Sequence, residues 1–138
     1  MQFRGMVPYE KLLVWQRAHA LALDIYRVTE GWNDLPLRTQ SRRSAVSVAS
    51  NIVEGAASQS AAMFARFLSI ALASAAELEY QLLFAHDNGS LSPASYAPLR
   101  QEVIELKKMI IALLKRIRAT AARQRKGPPR DKREGPVQ

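Results

Sequence analysis

The sequence predicts an all-α protein, an antiparallel up-down-up-down four-helix bundle with a disordered basic C-terminal tail. Four stretches of roughly 20 to 28 residues repeat apolar side chains at spacings of three and four, and no stretch alternates as a strand would. The connections between them are short, so consecutive helices should run antiparallel. With 138 residues and 48% apolar content, the chain suits one domain. We expect an N-terminal arm at 1–9, the bundle at 10–122 and the tail at 123–138.

The first predicted helix covers residues 10–30 and has a wide apolar face. Two adjacent seams run along it at helical spacing. One consists of Val14, Ala18, Leu21, Ile25 and Val28, and the other of Trp15, His19, Ala22 and Tyr26. Gly31 and the turn at residues 33–36 end the helix. Because the face is broader than one packing contact needs, we expect part of it to be buried between subunits.

The second predicted helix, residues 37–57, packs through small side chains, which let a neighbouring helix approach closely. Its inward positions are Ala45, Val46, Val48, Ala49, Ile52, Val53 and Ala56. Gly55 lies near its end, where a residue without Cβ stops a helix or permits a tight contact. Arg42 and Arg43 point about 100° apart. One suits a phosphate and the other a carboxylate such as Glu54 or Glu77, while an ion pair that organises the bundle is an equally open interpretation.

The third and fourth predicted helices have the clearest boundaries. The third, residues 61–87, carries a seam of Phe64, Leu68, Ala71, Ala75, Leu78, Leu82 and Ala85, widened by Phe67, Ile70 and Phe84. Ser92 and Pro93 supply a cap and a first-turn proline for the fourth. Its apolar residues, typical of a left-handed bundle, are Tyr96, Leu99, Val103, Leu106, Ile110, Leu113 and Ile117. From Arg123 onward the chain is charged, contains Gly and Pro and lacks aromatics, which predicts disorder.

The formal net charge of +8 is concentrated at the C-terminus. Residues 1–114 carry 11 Lys/Arg and 10 Asp/Glu, whereas residues 115–138 carry 9 and 2. The candidate nucleic-acid contacts are Lys108, Lys115, Arg116, Arg118, Arg123, Arg125 and Lys126, with Arg42 and Arg43 in addition. Since no aromatic is interleaved with the C-terminal cations, they should contact backbone phosphates of RNA or DNA rather than bases. Two alternative roles for the C-terminal cations remain. They could complement the dipole of the fourth helix, or they could form a solubilising disordered end.

The sequence contains no recognisable catalytic or metal-binding constellation. Cysteine is absent, and neither His19 nor His86 has a partner at Glu-x-x-His spacing. Phosphate-binding glycine loops and Gly-x-Ser-x-Gly elbows are also missing. We therefore predict a non-enzymatic protein without cofactor or metal, and a packed or interfacial role for His19. No signal-peptide pattern and no run of about 20 apolar residues is present, which predicts a cytoplasmic protein without a membrane partner.

Four stretches in order resemble the four-helix-bundle family of proteins encoded in intervening sequences of bacterial 23S rRNA genes. They are residues 14–19 with 25–26, residues 40–55, residues 64–71 with 74 and 77–80, and residues 82–91. The resemblance implies a bundle that assembles as a ring-like homopentamer. A related branch comprises accessory proteins of diversity-generating retroelements, which form basic pentameric barrels and bind nucleic acid together with a reverse transcriptase.

Three departures from the family pattern concern local contacts. The linker at residues 32–40 is short and lacks the usual Phe-Pro and Glu-x-x-Gly-Leu elements. Residues 56–60 carry no cation where the family usually has arginine or lysine, and Ala73 replaces a usual glycine. The basic tail beyond Arg118 lies outside the matched region and offers compensating charge.

Two functional hypotheses from different classes follow. The first is a non-enzymatic homo-oligomer that binds RNA or DNA through backbone-phosphate electrostatics. The second is a protein-interaction scaffold, such as the accessory subunit of a retroelement reverse transcriptase. An enzyme is a third possibility for which no residue pattern argues.

Overall fold

The computed structural model describes residues 8–127, most of which belong to four α-helices. They are α1 (Leu13–Val28), α2 (Leu35–Ala57), α3 (Ala61–Asp87) and α4 (Pro93–Lys126), preceded by one 3-10 turn at Tyr9–Lys11. Each helix packs on the next, and α1 packs on α4. No strand occurs within the described residues. The predicted all-α, antiparallel four-helix bundle is confirmed.

Side-chain caps set the starts of three helices. Asp34 accepts from the Leu37 N–H at 3.1 Å, Ser60 from Met63 at 3.1 Å, and Ser92 from Ser95 at 3.2 Å. Each cap satisfies an amide that the first helical turn leaves without a backbone partner. The start of α2 therefore lies earlier than predicted, because Asp34 caps the helix and Pro36 occupies its first turn rather than the preceding loop.

The start of α1 lies later than predicted. Residues Tyr9–Lys11 form a separate 3-10 turn, and Leu12 adopts an extended conformation before α1 begins at Leu13. The ring of Tyr9 contacts Trp15 edge-on, with centroids 4.9 Å apart. The predicted arm at 1–9 thus has its last residue in this turn, and residues 1–7 lie outside the described part of the chain.

The end of α4 corrects the predicted tail. Arg123, Arg125 and Lys126 were assigned to a disordered segment, but α4 continues through them and stops at Gly127, whose φ is +62°. Alanine, the strongest helix former, is frequent just before them, and Ala121 is buried at 6% exposure. The disorder prediction is therefore wrong for residues 123–126, and residues 128–138 lie outside the described region.

The core is aliphatic and draws on all four helices. Its fully buried large side chains include Leu21, Ile25, Val48, Ile52, Leu68, Leu78, Leu82, Val103, Leu106, Ile110 and Ile117. Gly55 lets α2 and α3 approach, because an added Cβ would lie 2.6 Å from Phe64 Cδ2. Val46, predicted to face inward, is instead 42% exposed.

Helix α3 is long and apolar enough, by length and composition alone, to cross a membrane. An 18-residue window in it has a mean hydropathy of 1.5, and 39% of that window is buried inside the bundle. The central helix of a packed bundle needs the same composition, since it supplies core side chains to two neighbours. Its remaining apolar side chains lie on the outer surface, where Met63, Ile70, Tyr80 and Phe84 are each more than 40% exposed.

Candidate nucleic-acid interface

The described C-terminal segment of α4 lies beside the beginning of α3. Arg118 Nη2 lies 3.5 Å from Ser69 Oγ, which fixes this antiparallel register. On its other side, α4 meets the start of α1 at a groove that Leu12, Val14, Met109 and Arg116 help to line. Because α1 begins beside Arg116, α4 extends beyond the start of α1 by about nine residues, or roughly 14 Å. This end of α4 is consequently more open than its middle.

Six cations lie on this end of α4, and we call them the basic end. They are Lys115, Arg116, Arg118, Arg123, Arg125 and Lys126, and all six are exposed. Residues 115–127 contain no acidic residue. Within the described residues none of the six forms an ion pair, and their side-chain hydrogen bonds are those of Arg118 to Ser69 and Arg123 to Thr120. Their charges are therefore available to an anion.

The basic end covers the outer half of the helix circumference. With about 100° per residue, Arg118 and Arg125 lie on the α3 side, whereas Arg116 and Arg123 lie on the opposite side. Lys115 and Lys126 lie between these two flanks. Lys108 follows the same stripe as Lys115 but is 3.6 Å from Glu105, three residues earlier. Lys108 is thus the member of the predicted stripe whose charge has an intrahelical partner.

Arg42 takes the structural role that the sequence left open. Its Nη2 donates to Tyr26 O at 3.0 Å and to Glu30 at 2.9 Å, and its Nε donates to Thr29 Oγ1 at 2.9 Å. The guanidinium also lies 4.4 Å from the Tyr26 ring centroid. Arginine bound in this way caps the C-terminus of α1 and complements its dipole. The carboxylate partner is Glu30 rather than Glu54 or Glu77.

Arg43 is exposed, and no ion pair joins it to another described residue. It lines a polar groove of about 400 Å³ between α2 and α3, together with Gln40, Ser47, Ser74 and Glu77. Ser47 and Ser74 are hydrogen bonded at 2.8 Å across the helix pair. Since the two helices are antiparallel, this groove lies toward the start of α2, far from the basic end. The structure therefore divides the predicted site residues between two regions.

Six of the ten described Lys and Arg residues outside the basic end form ion pairs. Arg17 Nε and Nη2 donate to the two carboxylate oxygens of Glu102 at 2.9 and 3.0 Å, joining α1 to α4. The hydrogen bond that Arg17 donates to Glu102 raises the pKa of Arg17 above its ordinary value, although partial burial acts in the opposite direction. Lys107 donates to Glu79 at 2.9 Å and joins α4 to α3. The contrast with the unpaired basic end is what singles that end out.

The two histidines pack on aromatic rings. The His19 ring stacks on Trp15 with centroids 4.9 Å apart, and His86 stacks on Tyr96 at 4.6 Å. His86 Nδ1 also lies 3.0 Å from Asp87. No group of three His, Cys, Asp or Glu side chains suited to a metal ion occurs between residues 8 and 127.

A groove that sequence reasoning missed lies between the start of α2 and the end of α3. Asp34, Glu77, Tyr80, Gln81 and Phe84 help to line it, and its volume is about 340 Å³. Phe84 was interpreted as widening the α3 seam, yet it is 45% exposed, and Tyr80 is 63% exposed. The signal in the sequence was two aromatic residues four apart and off the heptad seam.

Comparison with known proteins identifies relatives of the bundle. Residues 10–112 match the family described as 23S rRNA-intervening sequence protein. The crystal structure of a protein with unknown function from the S23 ribosomal protein family of Bacteroides thetaiotaomicron is similar, with a TM-score of 0.70 and 26% identity. The alignment covers 75% of this chain and 96% of that one. Comparison with curated protein sequences produced no match.

Proposed function

The chain belongs to the 23S rRNA-intervening sequence protein family, and we propose that it binds RNA or DNA through backbone phosphates. In this proposal the protein is a non-enzymatic, cytoplasmic homo-oligomer, and the basic end of α4 is the contact surface. The observation that carries the proposal is the set of six exposed cations in residues 115–126, which have no acidic residue among them and no ion-pair partner within residues 8–127. An unpaired cluster of one sign attracts polyanions, of which nucleic acid is the commonest in a cytoplasm.

The geometry favours phosphate contacts over base contacts. Along α4 the basic end extends about 16 Å, which is long enough to contact several consecutive phosphates. The six residues include no aromatic side chain, so this surface offers no platform for stacking bases. Binding at this surface should therefore depend strongly on salt and weakly on base sequence.

Homo-oligomerisation is supported by the apolar outer face of α3. Met63 and Ile70, on the half of α3 nearer the basic end, are 43% and 41% exposed and lie on one side of the helix, and Tyr80 and Phe84 continue this side on the other half. We assign the contact between protomers to the half with Met63 and Ile70, because neighbouring large apolar side chains left in water commonly belong to a protein interface. The pentameric number comes from the family resemblance alone. An oligomer would bring several basic ends together, so that weak contacts add through avidity.

The same outer face supports the second candidate function, a scaffold that binds another protein such as a reverse transcriptase. Tyr80 is the most exposed of these side chains at 63%, and aromatic residues commonly anchor protein interfaces. The two candidates differ in which surface is essential. Substituting Tyr80 and Phe84 should weaken binding of a partner protein if the scaffold function is correct. At an unchanged oligomeric state, the same substitutions should leave binding of phosphates by the basic end intact.

The test compares two variants that each lose three positive charges. One replaces Arg116, Arg118 and Arg123 with Gln. Its matched control replaces Arg27, Arg38 and Arg100, which lie toward the other end of the bundle. We expect the first variant to bind a mixed RNA or a duplex DNA at least about tenfold more weakly at moderate salt, and the control to change little. Equal losses in both variants, or no binding by the unmodified protein at low salt, would overturn the proposal.

A further inference from the structure

The aromatic groove between α2 and α3 has the features of a site for a planar ligand. Tyr80 and Phe84 form one wall, with ring centroids 6.4 Å apart and planes tilted by 54°. Both rings are substantially exposed, at 63% and 45%. At about 340 Å³ the groove falls in the size range of small-molecule sites. Exposed aromatic faces at its edge are suited to stacking against a nucleobase.

The polar wall of this groove is rich in acceptors. Asp34 and Glu77 contribute carboxylates, and Gln81 lies between the helices at only 5% exposure. Gln81 Nε2 donates to Glu77 at 3.4 Å, but its buried Oε1 has no hydrogen-bond partner among the described residues. A buried acceptor left unpaired in this way has lost its hydrogen bonds to water without replacement, which is unfavourable. A ligand that presents N–H groups at this wall would relieve that cost.

A cation lies in the adjoining groove. The polar groove that holds Arg43 shares Gln40 and Glu77 with the aromatic groove, so the two lie side by side. Arg43 is exposed and has no carboxylate partner within residues 8–127. The combined surface therefore offers aromatic faces, an acceptor-lined wall and, beside them, one guanidinium.

We propose that the combined groove binds a guanine nucleotide, with the base at Tyr80 and Phe84 and the phosphate toward Arg43. Guanine presents two adjacent donors, N1–H and the N2 amino group, and a carboxylate such as that of Glu77 can accept both. Adenine, cytosine and uracil lack this donor pair on the same edge. An arginine side chain from a partner protein has a similar donor pair, but Arg43 would repel it.

The groove is separate from the basic end, and its ability to bind guanine does not depend on the proposed function. Only the physiological source of the guanine rests on that function. If the protein binds nucleic acid as proposed, the base would be an unpaired guanine in the bound strand, held away from the phosphate contacts on α4. The other source is a free guanine nucleotide. Both present the same chemistry to the groove, so the experiment has an arm for each.

The first arm titrates the full chain with GMP and with IMP, which differ only in the 2-amino group. Binding is followed by NMR through the Tyr80 and Phe84 ring signals and the Gln81 side-chain amide. We expect GMP to bind and IMP to bind about tenfold more weakly, as for the loss of one hydrogen bond to a charged group. Glu77→Gln and Tyr80→Ala should each weaken GMP binding about tenfold, and Arg43→Gln should weaken GMP more than guanosine.

The control is Leu23→Ala, which removes a 44% exposed apolar side chain on α1, outside both grooves. It should bind GMP as the unmodified protein does. The second arm compares a single-stranded oligonucleotide containing one guanine with the same strand containing hypoxanthine. Preference for the guanine strand assigns the groove to nucleic acid, whereas preference for GMP alone assigns it to the free nucleotide.

Several results would overturn the inference. They are equal affinity for GMP and IMP, absence of GMP binding, equal losses in Leu23→Ala and Glu77→Gln, or tighter binding of N-acetylarginine amide than of GMP. The variant with Arg116, Arg118 and Arg123 replaced separates the two proposals, because it should weaken strand binding about tenfold at moderate salt while retaining GMP binding. Failure of that variant to lose strand binding would count against the basic end and leave the groove untouched.

Discussion

Gly55 is the residue on which the close contact between α2 and α3 depends. Its position faces Phe64 and Phe67, and a Cβ there would lie 2.6 Å from Phe64 Cδ2 and 3.1 Å from Phe67 Cβ. In an open helical position, replacing glycine by alanine stabilises a helix, since alanine is the better helix former. Here the lack of space reverses that preference, so local helix propensity and tertiary packing make opposite demands at one residue.

We predict that Gly55→Ala destabilises the protein by about 1–3 kcal/mol, because the added methyl group overpacks the α2–α3 contact. Chemical denaturation of the variant measures this change. Gly31→Ala is the matched control, since a Cβ at Gly31 would meet nothing within 4 Å and its φ is not positive. A neutral or stabilising effect of Gly55→Ala would show that Phe64 moves aside without cost.

Arg42 and Arg43 are adjacent in sequence and should differ sharply in their effects on stability. Arg42 is 18% exposed at its side chain and binds the C-terminal turn of α1, so Arg42→Ala should cost roughly 2 kcal/mol. Arg43 is exposed and has no carboxylate partner in the described chain, so Arg43→Ala should change stability by less than about 0.5 kcal/mol. Thermal unfolding of the two variants checks the difference, and equal effects would contradict the assignment of Arg42 as a cap.

At the scale of elements, α1 and α4 are joined by a polar contact in addition to core packing. Arg17 and Glu102 form a two-point ion pair, and their side chains are 34% and 36% exposed. The pKa of Arg17 is raised, chiefly by its hydrogen bond to Glu102. The pKa is raised because the ion pair favours the charged form of the arginine. The contribution of the pair to folding stability is therefore fully present below the ordinary arginine pKa, and it is lost only as the pH rises through the raised value.

We predict a coupling of less than about 1 kcal/mol between Arg17 and Glu102, because solvent screens a pair that is one-third exposed. A double-mutant cycle with Arg17→Gln and Glu102→Gln measures the coupling, and it should stay constant between pH 7 and pH 9. A coupling well above this value would mean that the pair is shielded from water in solution. Loss of the coupling across that pH range would contradict the direction of the pKa shift.

The last turns of α4 depend more on alanine than on packing, since α1 does not extend alongside them. We predict that Ala119→Gly, at an exposed position, reduces amide protection of residues 118–126 about fivefold, which corresponds to about 1 kcal/mol of helix propensity. Native-state hydrogen exchange measures this effect. Protection in the core of α3 should not change. Unchanged protection in residues 118–126 would indicate that contacts with α3 hold this segment.

Helix boundaries could be predicted where local chemistry decides them. Ser92 caps α4 at the expected residue, α3 begins at the expected Ala61, and both helices show regular apolar spacing. The end of α4 could not be predicted in the same way, because its charges are typical of disordered tails while its alanines favour helix. Burial of Ala121 contributes to the outcome, and burial depends on which helix lies alongside.

At the scale of the whole molecule, the two ends of the bundle carry different chemistry. The basic end has six cations without a carboxylate partner in the described part of the chain, whereas the opposite end combines capped helix termini, paired arginines and the aromatic groove. The cationic residues of the site could be found from the sequence as a charge imbalance. The ion pairs of the cations could not be predicted from the sequence, because the partner of Arg42 depends on which helix end lies beside it. The aromatic groove was also missed, because its position depends on how α2 is aligned along α3.

The most direct test of the account is the salt dependence of nucleic-acid binding by the full chain. For about six phosphate contacts, the logarithm of the binding constant should fall with the logarithm of salt concentration at a slope of roughly −4 to −5. The variant with Arg116, Arg118 and Arg123 replaced by Gln should show about half that slope. A slope near zero, or an equal slope in that variant, would contradict binding through the phosphates at the basic end.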